Sequence, residues 1–334
     1  MSLPPSPEKR ERGQFFTQGN PFVLAPFRAW FSTIPNAEQT TLLEPFAGAN
    51  HIVELMRQAG FANPWKSFDI DPPASTAQGV PVQRQDTLVK FPKGFEVVIT
   101  NPPYLARNSA QRRKISYPET RFDDLYKHAL DVMLQNAGFV AAIIPESFVV
   151  SGEFRDRLSA SISLTSKMFE DTECPVCLAL FVPSAIKPNP NDFELWDEDQ
   201  FLGRYEEFAK VLAPAPEGQR IKWKFNDPKG EIGLRGVDNH KAPSIRFVLG
   251  SEIDSALIKH SSRAVTRISG LPAGVDLEAL ILRANEALDD YRIRTHDTLM
   301  TPFKGLRQDG RYRRRLDFAA ARHLLDRCVG IYQR

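Results

Sequence analysis

Long apolar runs are missing from this chain of 334 residues. The longest, FVAAIIP over 139–145 and CLALFV over 177–182, fall well short of the roughly 18 residues that cross a bilayer, and they suit buried strands. Cysteine is scarce: Cys174, Cys177 and Cys328 are too few and too odd in number for a disulfide framework. The opening segment is rich in proline and charge and has no apolar stretch of the secretory kind. An intracellular, cytoplasmic protein with no membrane partner is therefore expected. The six histidines are assigned no role. Apolar residues at 42% and charged residues at 25% are ordinary globular usage, which excludes a collagen-like, coiled-coil or wholly disordered chain.

Neither sign of charge dominates, with 43 Lys+Arg against 41 Asp+Glu. The balance conceals an asymmetry. Residues 1–200 hold 19 basic and 24 acidic side chains, and the remainder holds 24 and 17. An acidic front half and a basic back half suit a catalytic module joined to a polyanion-binding module, or simply uneven surface charge.

What is present is an alternation of strands and helices. Residues 1–13 read as a charged arm and 22–31 as a short amphipathic helix. TTLLEPF (40–46), WKSFDID (65–71), GFEVVIT (94–100), FVAAIIP and CPVCLALFVP (174–183) read as strands. HIVELMRQAG (51–60) and RFDDLYKHALDVMLQNAG (121–138) read as helices stopped by glycine. The order predicts an α/β fold: a Rossmann-like sheet, largely parallel, with helices on both faces. At KPNPND (187–192) the pattern breaks. We expect one domain over 1–190 and a second, mixed α/β domain over 195–334. The latter has short strands within 221–250 and helices over 277–292 and 319–332.

Four turns could hold a ligand. Glu44-Pro45-Phe46-Ala47-Gly48-Ala49-Asn50 joins the first strand to a helix N-terminus, where small residues let backbone approach a ligand; one glycine there is also common punctuation. Asp69-Ile70-Asp71 ends the second strand, the place of a ribose-binding acid or of a plain turn aspartate before prolines. Asp86-Thr87 offers another acidic turn. The most specific signal is Asn101-Pro102-Pro103-Tyr104. Two prolines stiffen the chain and remove two N–H donors, so the Asn101 side-chain oxygen and the Asn101 and Pro102 carbonyls can face an amine, beside the aromatic ring of Tyr104.

Taken in order, these motifs resemble the S-adenosylmethionine-dependent DNA adenine-N6 methyltransferases of type II restriction–modification systems, in the gamma arrangement. GQFFT (13–17) resembles the family's N-terminal cofactor motif, EPFAGAN its D-P-[FA]-x-G-x-G loop, FDIDP (68–72) its ribose-binding strand end and QDTL (85–88) its adenine-contact turn. NPPY is the catalytic motif in its adenine form. Phe169 matches an aromatic that stacks on the flipped base. Glu44 replaces the usual Asp, Asn50 the last Gly and Gln18 a Pro; Asn tolerates left-handed angles. The resemblance covers residues 12–183 and implies a seven-stranded methyltransferase sheet. It implies that Phe16, Thr17, Glu44, Pro45, Phe46, Ala47, Gly48, Asp69, Ile70, Asp86, Thr87 and Asn101 hold S-adenosylmethionine. It further implies that Asn101, Pro102, Pro103, Tyr104 and Phe169 form the catalytic pocket, that no metal is used, and that double-stranded DNA and a cognate restriction endonuclease are partners. N4-cytosine, RNA and protein-glutamine methyltransferases share this chemistry and are the alternatives.

Lys304, Arg307, Arg311, Arg313, Arg314 and Arg315 crowd twelve residues broken by Gly305 and Gly310. We expect a loop there that contacts DNA phosphates; a solvated face is the plain alternative. The polar loop Gly236–Lys241 is either a base-reading loop or a hairpin turn. Cys174 and Cys177 lack further ligands nearby for a zinc site and suit a core strand.

Overall fold

The computed structural model describes residues 19–73, 79–164, 174–187, 189–259 and 262–330. The chain divides into two compact units, the first ending at Phe201 and the second beginning at Leu202.

The first unit opens with α1 (Ala25–Ser32), β1 (Leu42–Glu44), α2 (His51–Gln58), β2 (Trp65–Asp69), β3 (Val82–Arg84) and β4 (Val97–Thr100). It continues through α3 (Arg107–Arg113), α4 (Leu125–Asn136), β5 (Phe139–Pro145), β6 (Leu158–Leu164), β7 (Val176–Phe181), β8 (Glu194–Asp197) and β9 (Gln200–Arg204); β9 crosses the division between the units. The strands form one sheet in the order β3-β2-β1-β4-β5-β7-β6-β8-β9. The run β3-β2-β1-β4-β5 is parallel throughout and follows the doubly wound Rossmann order. β7 enters antiparallel between β5 and β6. The protein thus has the expected α/β architecture around a mostly parallel sheet.

Alternate residues of the central strands face opposite layers, as the strand period of two requires. Val97, Ile99, Phe139, Ala141, Ile143, Leu178 and Leu180 share one core with Phe27, Trp30 and Phe31 of α1 and Ile52, Val53, Leu55 and Met56 of α2. The Trp30 indole N–H reaches through that layer to donate to the Phe181 carbonyl at 3.1 Å. Val98, Val140 and Ala142 on the other side are also fully buried. Both faces are therefore covered, which explains why these strands read as continuous apolar runs.

Two expectations need correction. Among the described residues the sheet has nine strands rather than seven, because β8 pairs beside β6 and β9 extends the same edge. The basic segment 304–315 is two strands joined by a short turn at 307–311 rather than a loop throughout. It lies in the second unit, which comprises α5 (Tyr205–Val211), β10 (Lys224–Phe225), β11 (Ile232–Arg235), β12 (Arg246–Leu249), β13 (Val265–Ser269), α6 (Leu277–Thr295), β14 (Thr301–Leu306), β15 (Tyr312–Arg315) and α7 (Phe318–Gly330). There β14 and β15 pair as an antiparallel ribbon that bulges after Phe303. Gly305 supplies the positive φ of 86° inside that irregularity, so the glycine serves a bulged strand.

The core of the second unit is a four-stranded sheet, β10-β13-β11-β12, with α6 and α7. Leu280, Ala284, Leu288 and Tyr291 make the buried stripe of α6 at near-helical spacing. The helix starts at Asp276, whose side chain accepts from the Ala279 N–H at 3.0 Å. It stops at His296 in the left-handed region.

Candidate active site at the carboxyl ends of the parallel strands

The predicted ligand turns converge because they close neighbouring parallel strands. Hydrogen bonds stitch them together. The Gly48 N–H donates to Asp69 Oδ2 and the Asp71 N–H to Asp69 Oδ1, both at 2.8 Å. The Ala47 N–H donates to the Phe68 carbonyl, and the Thr87 hydroxyl donates to the Pro45 carbonyl at 2.9 Å. Asp86 closes its own turn by accepting from the Leu88 and Val89 N–H groups. EPFAGAN, FDID and QDTL are thus one surface at the carboxyl edge of the sheet, the edge where doubly wound folds bind ligands.

Within that surface the backbone of the first turn is left-handed twice, at Gly48 (φ 48°) and Asn50 (φ 65°). Asn50 therefore adopts the conformation expected of the glycine it replaces. Its amide is tied down by donating to the Val80 carbonyl at 2.8 Å. Above Gly48, a side-chain carbon would meet nothing within 4 Å, so the turn presents bare backbone. Beside it Ile70 stands 56% exposed, an apolar side chain flanking the buried Asp69.

The strand order reverses direction between β1 and β4, the topological switch point, and Glu44 sits there. It is fully buried. Its Oε1 accepts from the Thr100 hydroxyl at 2.5 Å and from the Phe46 N–H at 3.0 Å, and its Oε2 has no partner among the described residues. Burial, outweighing those hydrogen bonds and helped by the nearby Asp69 charge, pushes the Glu44 carboxyl up to about 8. A proton is then held in the folded state that the unfolded chain releases above about 4.5. Glu44's contribution to stability is full below that value and falls as pH rises through about 8. Melting temperatures from pH 5 to 8 should decline, and Glu44→Gln should flatten the decline. Identical pH profiles for the two proteins would remove Glu44 as its source.

The Asn101-Pro102-Pro103-Tyr104 turn follows β4 next door. The Tyr104 hydroxyl lies 2.6 Å from both Asn101 Oδ1 and the Ile143 carbonyl of β5. An amide oxygen carries two lone pairs, and the tyrosine contact uses one of them, a partner that sequence reading did not foresee. Burial holds the Tyr104 hydroxyl well above its usual range, so it stays a donor. The ring is half-buried and meets Tyr126 edge-on at 6.2 Å, which fixes its plane.

Phe16, Thr17 and Phe169 lie outside the described residues. Cys177 is a fully buried residue of β7 whose thiol burial pushes up to about 12. Among the described residues no cluster of metal-ligating side chains occurs, and no helix is long and apolar enough to cross a membrane.

In the second unit the six basic residues separate. Arg307 is buried and donates to Asp238 and Asp309; it is a structural residue, not a surface cation. Arg313 lies over the Phe303 ring at 5.0 Å, and its Nε donates to the Asp238 carbonyl at 2.6 Å. Its Nη1 is 3.2 Å from His240 Nε2. Burial and, less strongly, the neighbouring Arg263 cation lower the affinity of Arg315 for its proton, against the Asp317 charge. Lys304 and Arg311 are exposed.

Residues 46–170 match the family described as Eco57I restriction-modification methylase. No curated protein matches the chain. Among solved structures, a class I S-adenosylmethionine-dependent methyltransferase from Listeria monocytogenes is 14% identical over 55% of this chain and 66% of its own, at a TM-score of 0.42. A type I restriction-modification methyltransferase subunit from Streptococcus thermophilus is 17% identical over 60% of this chain and 53% of its own (TM-score 0.39). The M protein of the type I restriction enzyme EcoKI is 14% identical over 85% and 72% (TM-score 0.38). This chain spans less than two thirds of the first two. The matched stretch runs from the turn after β1 to just beyond β6.

Proposed function

We propose that the protein is a site-specific DNA methyltransferase that methylates the N6 amino group of an adenine turned out of duplex DNA. The observation that carries this reading is the Asn101-Pro102-Pro103-Tyr104 turn at the switch point, one strand from the buried Glu44 carboxyl. The first unit would be catalytic and the second would recognise the target. A partner endonuclease cutting the same site would complete the system.

The residues fit S-adenosylmethionine. Glu44, with its unpartnered buried oxygen, suits a ligand ammonium group; Asp69 and Asp86 suit hydroxyl and amine donors; Ile70 offers an apolar face to a base; Gly48 leaves room. When bound, the cofactor supplies an electrophilic sulfonium methyl group. The chain's own contribution is position and electrostatics. Asn101 Oδ1 and the Pro102 carbonyl would accept hydrogen bonds from the adenine amino group, raising electron density on its nitrogen. The surplus proton leaves to water after transfer, since an amide is no base. Extruding the base costs a few kcal/mol, and stacking on Tyr104 offsets about 1–3 kcal/mol of that.

The test uses isotope-labelled S-adenosylmethionine, unmethylated genomic DNA and mass spectrometry of the digested nucleosides. Labelled N6-methyladenine is expected. Labelled N4-methylcytosine would overturn the base assignment. Label in no nucleoside, with cofactor still bound, would move the substrate to RNA or protein.

In the second unit, Lys304 and Arg311 are the exposed members of the ribbon cluster. Replacing both with alanine should flatten the salt dependence of DNA binding by up to about one slope unit per lost phosphate contact. An unchanged slope would return them to a solvated face.

A further inference from the structure

The catalytic turn is followed at once by a closed excursion of the chain. Ala106 bridges Asp124 in antiparallel fashion. The Leu105 N–H donates to Asp124 Oδ1 at 3.1 Å, the Arg107 N–H to the Asp123 carbonyl at 2.8 Å, and the Leu125 N–H to the Leu105 carbonyl at 3.0 Å. Residues 107–122 therefore leave and return at one point, immediately after Tyr104. Arg107 secures the inside of this excursion: its guanidinium donates to the Thr120 and Phe122 carbonyls and lies 5.3 Å from the Tyr117 ring centre.

The outer side is different. Arg112, Arg113 and Lys114 are consecutive and exposed. Among the described residues none of them has an ion-pair partner. Among the described residues, Arg112 donates only to the Asn108 carbonyl and the Ser109 hydroxyl of its own helix, at 3.3 Å. Cations in the last turn of a helix do favour its dipole, which accounts in part for Arg112 and Arg113. It does not account for Lys114. That residue ends α3 in the left-handed region, φ 56°, where glycine is the unstrained choice. A long cationic side chain held at a glycine position points to a task for the charge.

We infer that Arg112, Arg113 and Lys114 form a phosphate clamp of the catalytic unit, gripping the DNA backbone beside the extruded base. This rests on the DNA-methylating reading above. Reach supports it. Three residues of extended chain and a seven-residue helix place Lys114 within about 20 Å of Tyr104, about six base steps along a duplex strand. Three adjacent cations that pair with no carboxylate among the described residues suit a polyanion rather than a protein partner of mixed charge.

The experiment compares the wild type, the triple variant Arg112→Ala/Arg113→Ala/Lys114→Ala, and Lys114→Gly. Each is measured for DNA affinity across salt concentrations, cofactor affinity and melting temperature. In the triple variant the slope of log K against log salt should drop by up to about three units, and KM for DNA should rise at least about tenfold, with cofactor affinity unchanged. Lys114→Gly should melt at the same or a higher temperature and still bind DNA more weakly, a combination that a purely structural role does not produce. If the wild type methylates DNA and the triple variant keeps the wild-type slope, the clamp is wrong and the function stands. If the wild type binds no DNA, both fall.

Discussion

Asn101→Ala should lower the single-turnover rate of methyl transfer at least about 100-fold, the usual loss when one preorganised hydrogen-bonding group is removed from a reacting centre. Cofactor affinity should stay within a few-fold of wild type. The separation is expected because the turn's backbone is set by β4 and two prolines, and because Tyr104 keeps its second acceptor, the Ile143 carbonyl. Asn101→Asp retains an acceptor and should lose less than alanine. Labelled-cofactor single turnovers with an equilibrium cofactor titration check this. An alanine variant within tenfold of wild type would remove Asn101 from the chemistry.

The largest stability effect should come from Asp238→Ala. This carboxylate is fully buried. It accepts from both terminal nitrogens of Arg292 at 2.9 Å, from Arg307 at 3.2 Å, and from the Ser244, Ile245 and Arg314 N–H groups. Burial alone would raise its affinity for a proton; the Arg292 bonds and the N–H donors outweigh that and hold it below the ordinary carboxylate range. Its contribution is therefore complete above the unfolded value near 3.8 and is lost as pH falls further. Truncation leaves two guanidinium groups buried beside a cavity, and removing one member of such a pair costs about 3–5 kcal/mol. Hydrogen exchange should show lost protection in α6, β11 and β14, with β4 and β5 unaffected. Wild-type protection throughout would show that Asp297 and Asp309 alone neutralise the two arginines.

The first unit was legible where burial imposes a pattern. β4, β5 and β7 announce themselves through unbroken apolar runs, and the predicted ligand turns at EPFAGAN and FDID follow from where β1 and β2 stop. β6 went unread because LSASISL alternates serine with apolar residues, although the Ser161 side chain is buried in the finished sheet. The ribbon was misread because glycine and arginine suggest loop, and only the bulge reconciles them with a strand. The same blindness touched Arg307: sequence shows a cation among cations, whereas Asp238, sixty-nine residues earlier, decides that it points inward. The NPPY turn was visible, but the Tyr104 hydroxyl also meets a carbonyl of β5 that no local spacing reveals.

The free margin of the large sheet carries a consequence for how the protein behaves in crowded solution. An unpaired strand edge is a template for another chain, and long flat edges lead to fibrils. β3 is only three residues long, and its Gln83 and Arg84 side chains are exposed. Arg84 is further drawn aside to Asp71 at 3.2 Å. Among the described residues, so brief and charged a border gives an incoming strand little to zip along.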